Sequence, residues 1–292
     1  MVITGTALKI AVLADIHANL VALEAVTAHL EAWHPDVVVV AGDVVNRGPR
    51  PLECLQFVRQ KQQTDGWLVV RGNHEDYVLS HTRPDAPRHG PAFEVHRFSY
   101  WTFCQLDGCL DELTAMPFQQ TLYTPDGAEV RVVHASMRDN RDGIYPETTD
   151  AALREKIQPP PSLLCVGHTH RPLTRRIDRT LVVNVGAVGL PFDGDRRACY
   201  AQIERRGHRW QARLVRLPYN LARAEQDFFT AGFFDGCGPL GYLILDEFRS
   251  ARSRLYQWTV RYQSRVLAGE MTMQESVEDF FATYLHRPFS RR

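Results

Sequence analysis

The amino-terminal half of the chain alternates short apolar runs with segments in which apolar residues recur every three or four positions. The runs at residues 9–15 and 36–43 each end at an aspartate. Runs of this kind, apolar on both faces, are typical of strands buried in a parallel sheet. Residues 23–33, which lie between them, have the spacing of an amphipathic helix. This alternation of strand and helix predicts an α/β fold, which some schemes class as α+β.

The same pattern continues along the chain, and most of the predicted strands stop at a Gly, Asp, Asn or His. A second helix is expected over residues 51–63. Further strands are expected in segments 67–73, 129–136, 162–170, 180–189 and 198–204.

Two regions depart from this alternation. Residues 80–118 begin with turn formers and continue as an aromatic stretch, which predicts a helical insert. Beyond residue 217 the pattern becomes helical. We therefore expect a domain over residues 1–217 that carries the insert, followed by a helical extension over residues 218–292.

The extension contains two helix signals. Apolar residues within 244–262 are spaced four and three apart in alternation, which predicts one continuous amphipathic helix. The arginines that accompany it, Arg252 among them, are expected on its solvated face. Thr272 followed by Glu275 is the pattern of a capping box that opens a last helix.

Composition narrows the class of protein. Hydrophobic residues make up 44% of the 292 positions, which is ordinary for a globular protein with a core. The 34 Lys and Arg residues balance the 34 Asp and Glu residues, so nothing favours a polyanionic partner such as duplex nucleic acid. No membrane span and no secretion signal are expected. The six cysteines are scattered without a C-x-x-C pair, so neither disulfides nor a zinc knuckle is expected, and a cytoplasmic location is predicted.

Polar side chains with metal-binding chemistry follow five of the predicted strands. In open α/β sheets, ligands bind outside the carboxyl ends of the strands. Carboxylate, amide and imidazole groups together suit manganese, iron, zinc or nickel alike; two ions would use the whole set, whereas one would need only about four ligands. The glycines before Asp43, Asn73 and His168 are expected to allow tight backbone turns. The candidate ligands are Asp15, His17, Asp43, Asn73, His134, His168 and His170.

The order of these motifs, D-x-H, G-D, G-N-H-E, H and G-H-x-H, resembles that of the calcineurin-like metallophosphoesterases over residues 9–204. The resemblance implies a four-layer α-β-β-α sandwich with two divalent ions, for which manganese is the expected metal in vitro. It assigns the first ion to Asp15, His17, Asp43 and His170, and the second to Asp43, Asn73, His134 and His168.

The resemblance also implies a chemistry. A water that bridges two ions becomes a hydroxide near neutral pH and attacks phosphorus in line with the leaving oxygen. His74 would protonate the leaving group or bind phosphate. Arg47 lies in a G-D-x-x-x-R-G block similar to that of protein phosphatases and symmetrical dinucleoside tetraphosphate hydrolases, and would clamp phosphate. The protein phosphatases have an aspartate where this chain has Asn46, and an amide cannot stabilise the His74 imidazolium as a carboxylate does.

Later sequence motifs, at residues 133–146 and 184–204, instead resemble those of the small bacterial and archaeal phosphodiesterase-like members of this family. The favoured hypothesis is therefore metal-dependent hydrolysis of small-molecule phosphodiesters. The alternatives are a phosphomonoesterase or Ser/Thr protein phosphatase, a dinucleoside polyphosphate hydrolase, and a catalytically inactive metal-binding scaffold. The neutral charge argues against a nuclease, and the sequence gives no prediction of oligomeric state.

Overall fold

The computed structural model describes residues 7–106, 108–286 and 288–289. The strands of this part of the chain form two sheets. They are β1 Ala7–Leu13, β2 Val37–Val40, β3 Leu68–Val69, β4 Gln119–Tyr123, β5 Glu129–Val133, β6 Leu163–Val166, β7 Leu173–Ile177, β8 Thr180–Asn184, β9 Ala198–Arg206 and β10 Arg209–Leu217.

The sheets are five-stranded, with strand orders β10-β9-β1-β2-β3 and β4-β5-β6-β8-β7. The strands β1, β2 and β3 run parallel to one another, as do β5, β6 and β8. The remaining strands pair antiparallel at the margins. Parallel neighbours end at the same edge of a sheet, so each sheet collects the residues that follow its central strands.

Helices cover the outer faces of both sheets and form most of the carboxyl-terminal region. A 3₁₀ turn at Ser80–Thr82 and a π-helical stretch at Thr259–Gln263 accompany them. The α-helices of the described residues are α1 Leu20–Trp33, α2 Pro51–Asp65, α3 Asn73–Leu79, α4 Gly90–Gln105, α5 Leu110–Ala115, α6 Asp150–Lys156, α7 Leu221–Thr230, α8 Phe233–Cys237, α9 Leu240–Ser250, α10 Leu255–Trp258, α11 Ser264–Leu267 and α12 Met273–Tyr284.

The core is layered as the alternation of strand residues requires. On β1, Ile10 and Val12 pack in the cluster between the sheets, whereas Ala11 and Leu13 pack in the cluster beneath α1 and α2. The outer face of the second sheet packs against α6 through Leu153. The predicted four-layer α-β-β-α sandwich is confirmed.

The insert and the extension share a further hydrophobic cluster. Val95 and Trp101 of α4 lie in it together with buried residues of α7 to α12. The Arg97 side chain of α4 also donates hydrogen bonds to the backbone carbonyl oxygens of Asp235 and Gly236, each at 2.9 Å. Residues 80–118 contain the helices α4 and α5, and α4 packs against the helices that follow β10.

The prediction of one continuous amphipathic helix over residues 244–262 is wrong. The helix α9 ends at Ser250, and Ala251 adopts a left-handed conformation with φ of 50°. The Glu247 carboxylate then accepts hydrogen bonds from the amides of Arg254 and Leu255, where α10 begins. Apolar residues on both sides of the break are still buried, so the spacing predicted the buried face but not the interruption. The capping box of Thr272 and Glu275 is confirmed at α12.

Three strands, β4, β7 and β10, were not expected from the sequence. The charged residues of β7 and β10 obscure the strand pattern, although Trp210, Ala212 and Leu214 alternate with polar residues along β10. These three apolar side chains join the cluster between the sheets. The alternation of apolar and polar residues was therefore the signal from which β10 could have been predicted.

Candidate metal centre

The strand ends of both sheets bring the candidate ligands together. The segments after β1 and β2 run side by side, because the amides of Asp15 and His17 donate to the carbonyl oxygens of Gly42 (3.1 Å) and Asp43 (3.0 Å). In the second sheet the Gly167 amide donates to the His134 carbonyl oxygen at 2.8 Å, which joins the ends of β5 and β6.

Left-handed backbone conformations are concentrated at these ligands. Such conformations are uncommon for residues with a Cβ and cost about 1–3 kcal/mol each, and they cluster at functional sites. The positive φ angles belong to Asp15 (54°), His17 (47°), Asp43 (56°), His168 (68°) and His170 (55°).

The glycines that precede ligands have two different roles. Gly42 has a φ of 85° and allows a turn before Asp43, as expected. Gly72 has a φ of −96°, so its role is steric: a Cβ there would lie 2.1 Å from Asp43 Oδ1. At Gly167, likewise not left-handed, a Cβ would lie 2.7 Å from Asp15 Oδ2. At Gly72 and Gly167 close packing therefore excludes a side chain, and a tight turn also follows Gly167, because the Thr169 amide donates to the Gly167 carbonyl oxygen at 2.8 Å.

The first predicted ligand set forms a compact buried cluster. One ligand atom from each of its four residues lies within 4.8 Å of the others. The Nε2 atoms of His17 and His170 are 3.1 Å apart, and Asp15 Oδ1 lies 3.5 Å from His170 Nε2. Asp43 Oδ2 is 3.6 Å from His17 Nε2.

The second predicted set adjoins the first through Asp43. His134 Nε2 is 3.3 Å from Asp43 Oδ2 and 2.9 Å from Asn73 Oδ1. His168 Nδ1 lies 2.8 Å from the same Asn73 oxygen. Asp43 Oδ2 is therefore close to imidazoles of both sets.

Backbone carbonyl groups orient three of the imidazoles. The Nδ1 atom of His17 donates to the Asn46 carbonyl oxygen at 3.2 Å, and that of His134 donates to the Ala41 carbonyl oxygen at 2.8 Å. His170 Nδ1 donates to the Leu190 carbonyl oxygen. With Nδ1 protonated, Nε2 is directed into the cluster as the atom available to a metal, which is the arrangement common in metal sites.

The side chains present fit divalent cations. Asp43 Oδ2 is buried and has no hydrogen-bond partner, and an isolated buried carboxylate oxygen is unfavourable. The two Nε2 atoms of His17 and His170, 3.1 Å apart, present lone pairs to each other when both imidazoles are neutral. A cation near these atoms would give Asp43 Oδ2 and both Nε2 atoms a favourable partner.

Burial keeps most of the imidazoles neutral. It is the largest effect at His17 and His170, and it lowers the pKa of each well below 6.5. Burial, helped by the charge of His134, lowers the pKa of His168 to about 4. Neutral imidazole is the form that binds metal.

The pKa values of Asp15, Asp43 and His134 depend on one another. Burial raises the pKa of Asp15 well above its usual value. At Asp43 burial acts in the same direction but is outweighed by nearby histidines, first of all His134, so that its pKa is lowered. Burial would lower the pKa of His134, but Asp43 and Asp15 raise it to about 10. Asp43 and His134 thus favour each other's charged forms.

Glu75 holds the loop that carries Asp43, a role that sequence analysis did not assign. Its carboxylate is fully buried and accepts hydrogen bonds from the amides of Asp43, Val44, Val45 and Gly72, at 2.8 to 3.2 Å. The available signal was its position in G-N-H-E, at the third residue of a helix that begins with Asn73, where a glutamate commonly accepts backbone amides.

Asn46 sets the protonation of His74. Its Oδ1 accepts hydrogen bonds from the Arg47 amide (2.9 Å) and the Thr102 hydroxyl (3.3 Å), so its Nδ2 faces His74 Nδ1 at 2.9 Å. His74 Nδ1 is then an acceptor, and the ring proton resides on Nε2. Burial lowers the pKa of His74 well below 6.5, which favours this neutral form.

A cleft of about 950 Å³ opens over the cluster. Arg47 and His74 lie in its floor with several of the candidate ligands. His96 and Phe98 of the insert line the cleft, as do residues of the extension, Arg252 and Tyr256 among them. Arg252 is exposed, as expected, and it also lines the cleft.

No helix among the described residues has the length and apolar character needed to cross a bilayer.

Comparisons with known proteins extend over most of the chain. Residues 8–206 match a family model described as the calcineurin-like phosphoesterase superfamily domain. A metallophosphoesterase structure from Sphaerobacter thermophilus is 31% identical, with a TM-score of 0.65, and the match covers 84% of this chain and 99% of that one. An uncharacterized protein of Methanocaldococcus jannaschii is 26% identical over 74% of this chain and 90% of its own length. A symmetrical bis(5'-nucleosyl)-tetraphosphatase of Stutzerimonas stutzeri is 44% identical over only 45 residues, which are 15% of this chain and 16% of that protein.

Proposed function

The chain belongs to the calcineurin-like phosphoesterase superfamily, whose members hydrolyse phosphoric esters, and on that premise we propose that it is a dinuclear metal-dependent phosphodiesterase acting on small molecules. The cleft above the metal cluster is the observation that carries the diester assignment. A phosphodiester carries a second substituent on phosphorus, and side chains of the insert and of the extension line this cleft beside the candidate ligands, so the cleft has surface on which that substituent could rest.

We assign the two ions to the two ligand sets, with Asp43 shared between them. Bound divalent ions would supply positive charge for the phosphoryl oxygens and a bridging hydroxide as the nucleophile near neutral pH. Manganese is the metal we would use first in vitro, because this ligand set suits several first-row metals.

His74 acts in this proposal as a hydrogen-bond donor. Because Asn46 faces Nδ1, the proton on Nε2 is the one available to a phosphoryl oxygen or to the leaving oxygen. Arg47 binds the non-bridging oxygens through its guanidinium, since two parallel N–H groups match a phosphate edge.

The test is the ratio of initial rates on bis(4-nitrophenyl) phosphate and 4-nitrophenyl phosphate, measured with manganese. We expect the diester to be the faster substrate, and Asp43→Asn to abolish both reactions while circular dichroism still shows a folded protein. A faster monoester would favour the phosphatase alternative. Equal turnover by Asp43→Asn, or no turnover by a manganese-loaded wild type, would reject the proposed mechanism.

Hydrolysis of dinucleoside polyphosphates is a second candidate, favoured by the local similarity to the symmetrical tetraphosphatase. Release of nucleoside diphosphate from diadenosine tetraphosphate, compared with the aryl diester at equal concentration, separates the two substrates. A cytoplasmic location remains a prediction.

A further inference from the structure

A carboxylate from the extension lies behind the phosphate-binding arginine. Glu247 Oε2 is 3.8 Å from an Arg47 terminal nitrogen, and the Glu247 side chain is fully buried. This distance is longer than a hydrogen bond. Both Glu247 Oε2 and Arg47 Nε are buried without hydrogen-bond partners. The two groups therefore interact through their charges and not through a bidentate hydrogen-bonded ion pair.

Glu247 is held independently of Arg47. Its other oxygen, Oε1, accepts hydrogen bonds from the amides of Arg254 (2.7 Å) and Leu255 (2.8 Å) at the break between α9 and α10. The backbone of the extension thus fixes the carboxylate in place. A buried charge acts strongly on its neighbours, because little solvent screens it.

We propose that Glu247 sets the substrate specificity of the site by reducing the positive charge that Arg47 presents to the phosphoryl group. The inference rests on the proposed function, since it takes Arg47 as the side chain that faces the phosphate. A diester carries one negative charge, whereas a phosphate monoester carries about 1.5 to 2 near pH 7. With the negative charge of Glu247 behind it, the Arg47 guanidinium favours the monoester dianion over the diester monoanion by a smaller margin. The diester therefore binds more competitively.

A purely structural role for Glu247 predicts a different outcome. If the carboxylate only caps α10, its removal would weaken the fold and lower every rate together. Glu247→Gln keeps an oxygen that can accept the two amides and removes the charge. An increase in monoester activity or in phosphate affinity after this change cannot result from loss of structure.

The experiment measures inorganic phosphate affinity by calorimetry and the two aryl ester rates, on the manganese-loaded full chain. We expect Glu247→Gln to bind phosphate about tenfold more tightly and to shift the monoester-to-diester ratio by a similar factor. Neither change should appear when Glu247→Gln is combined with Arg47→Ala. Asp246→Asn is the matched control: this neighbouring buried carboxylate pairs with Arg254 at 2.8 Å, and its loss should leave the ratio unchanged.

Each outcome decides the inference. Unchanged or weaker phosphate binding by Glu247→Gln overturns it, as does the same shift in the Arg47→Ala background or in Asp246→Asn. Absence of phosphate binding in both wild type and Glu247→Gln also overturns it. If wild type binds phosphate but hydrolyses neither ester, the proposed function fails while the affinity measurements still test the role of Glu247.

Discussion

At the scale of single residues, the candidate metal centre is unusual because its ligands adopt conformations that glycine would adopt more easily. Asp15 and His17 are both left-handed, and the chain around them is held by bonds to the neighbouring loop of Asp43. Such strained backbone conformations persist only where the surrounding structure enforces them. A precise ligand geometry is thereby built into the backbone before any ion binds.

Gly72→Ala should disrupt the site by contact alone. The added Cβ would lie 2.1 Å from Asp43 Oδ1 and 2.6 Å from the Asp43 amide nitrogen. We expect a loss of about 1–3 kcal/mol in the free energy of unfolding and a lower bound-metal content, measured by urea denaturation and elemental analysis. Gly207→Ala is the control for metal content: its left-handed backbone makes alanine strained, but the Cβ would meet nothing within 4 Å, so this variant should lose stability without losing metal. Full metal content in Gly72→Ala would contradict this account.

Asn46→Asp should make His74 titrate within the working pH range. Burial lowers the pKa of His74 well below 6.5 in the wild type, so its protonation does not change above pH 6.5. An aspartate beside Nδ1 would favour the imidazolium and raise the pKa of His74 towards the working pH range. The pH–rate profile of the variant should then gain an inflection that wild type lacks.

Thr102→Val serves as the control for Asn46→Asp, since it removes a hydrogen bond to Asn46 Oδ1 without adding charge. Superimposable profiles for wild type and Asn46→Asp would show that Asn46 does not govern His74.

At the scale of elements, strand ends bring the candidate ligands together, and residues of the extension line the cleft. The interruption between α9 and α10 is the clearest case of an element shaped by one side chain. Glu247 accepts the amides at the start of α10, in the place where a continuous helix would have bonded them internally. The break therefore directs a carboxylate toward Arg47 and turns the following residues into the cleft wall.

Thr272→Ala tests whether α12 affects stability without affecting chemistry. The Thr272 hydroxyl accepts a hydrogen bond from the Glu275 amide at 3.1 Å. Its removal should lower the free energy of unfolding by about 1 kcal/mol in urea denaturation and leave kcat/KM on the aryl diester unchanged. Thr283→Ala, an exposed change on the same helix, should alter neither quantity. A large fall in kcat/KM for Thr272→Ala would mean that α12 is coupled to the site.

At the scale of the whole molecule, metal and fold should stabilise each other. Candidate ligands from both sheets meet at one cluster, so an ion bound there would cross-link the sandwich. Binding to the folded state alone raises stability by about 2.7 kcal/mol when free metal is 100 times its dissociation constant. We expect manganese to raise the wild-type melting temperature and a chelator to reverse the rise.

Asp43→Asn should abolish this manganese-dependent rise, because Asp43 adjoins both ligand sets. Asp193→Asn is the control, since Asp193 lines the cleft and pairs with Arg216 instead of the cluster. An equal rise in Asp43→Asn and wild type would place the stabilising ion elsewhere.

Local signals in the sequence predicted the α/β alternation and the ligand candidates, whereas the four-layer sandwich was predicted from the family resemblance. Apolar runs identify central strands, and the residue that follows each run, such as Asp43 or His134, lies where parallel strands end. The contacts of Asn46, Glu75 and Glu247 depend instead on which distant segments meet in space. Apolar spacing also continues across Ala251 unchanged, so no local pattern marked the break there.

The cluster shared by the insert and the extension has a consequence for how this protein can diversify. Trp101 of α4 packs so closely on α8 that a Cβ at Gly236 would lie 1.8 Å from its ring. The two segments are separated in the gene, yet each supplies the other's buried surface. A recombination event or an engineered chimera that exchanged only one of them would join mismatched surfaces. New cleft walls should therefore be inherited, or grafted, as a pair.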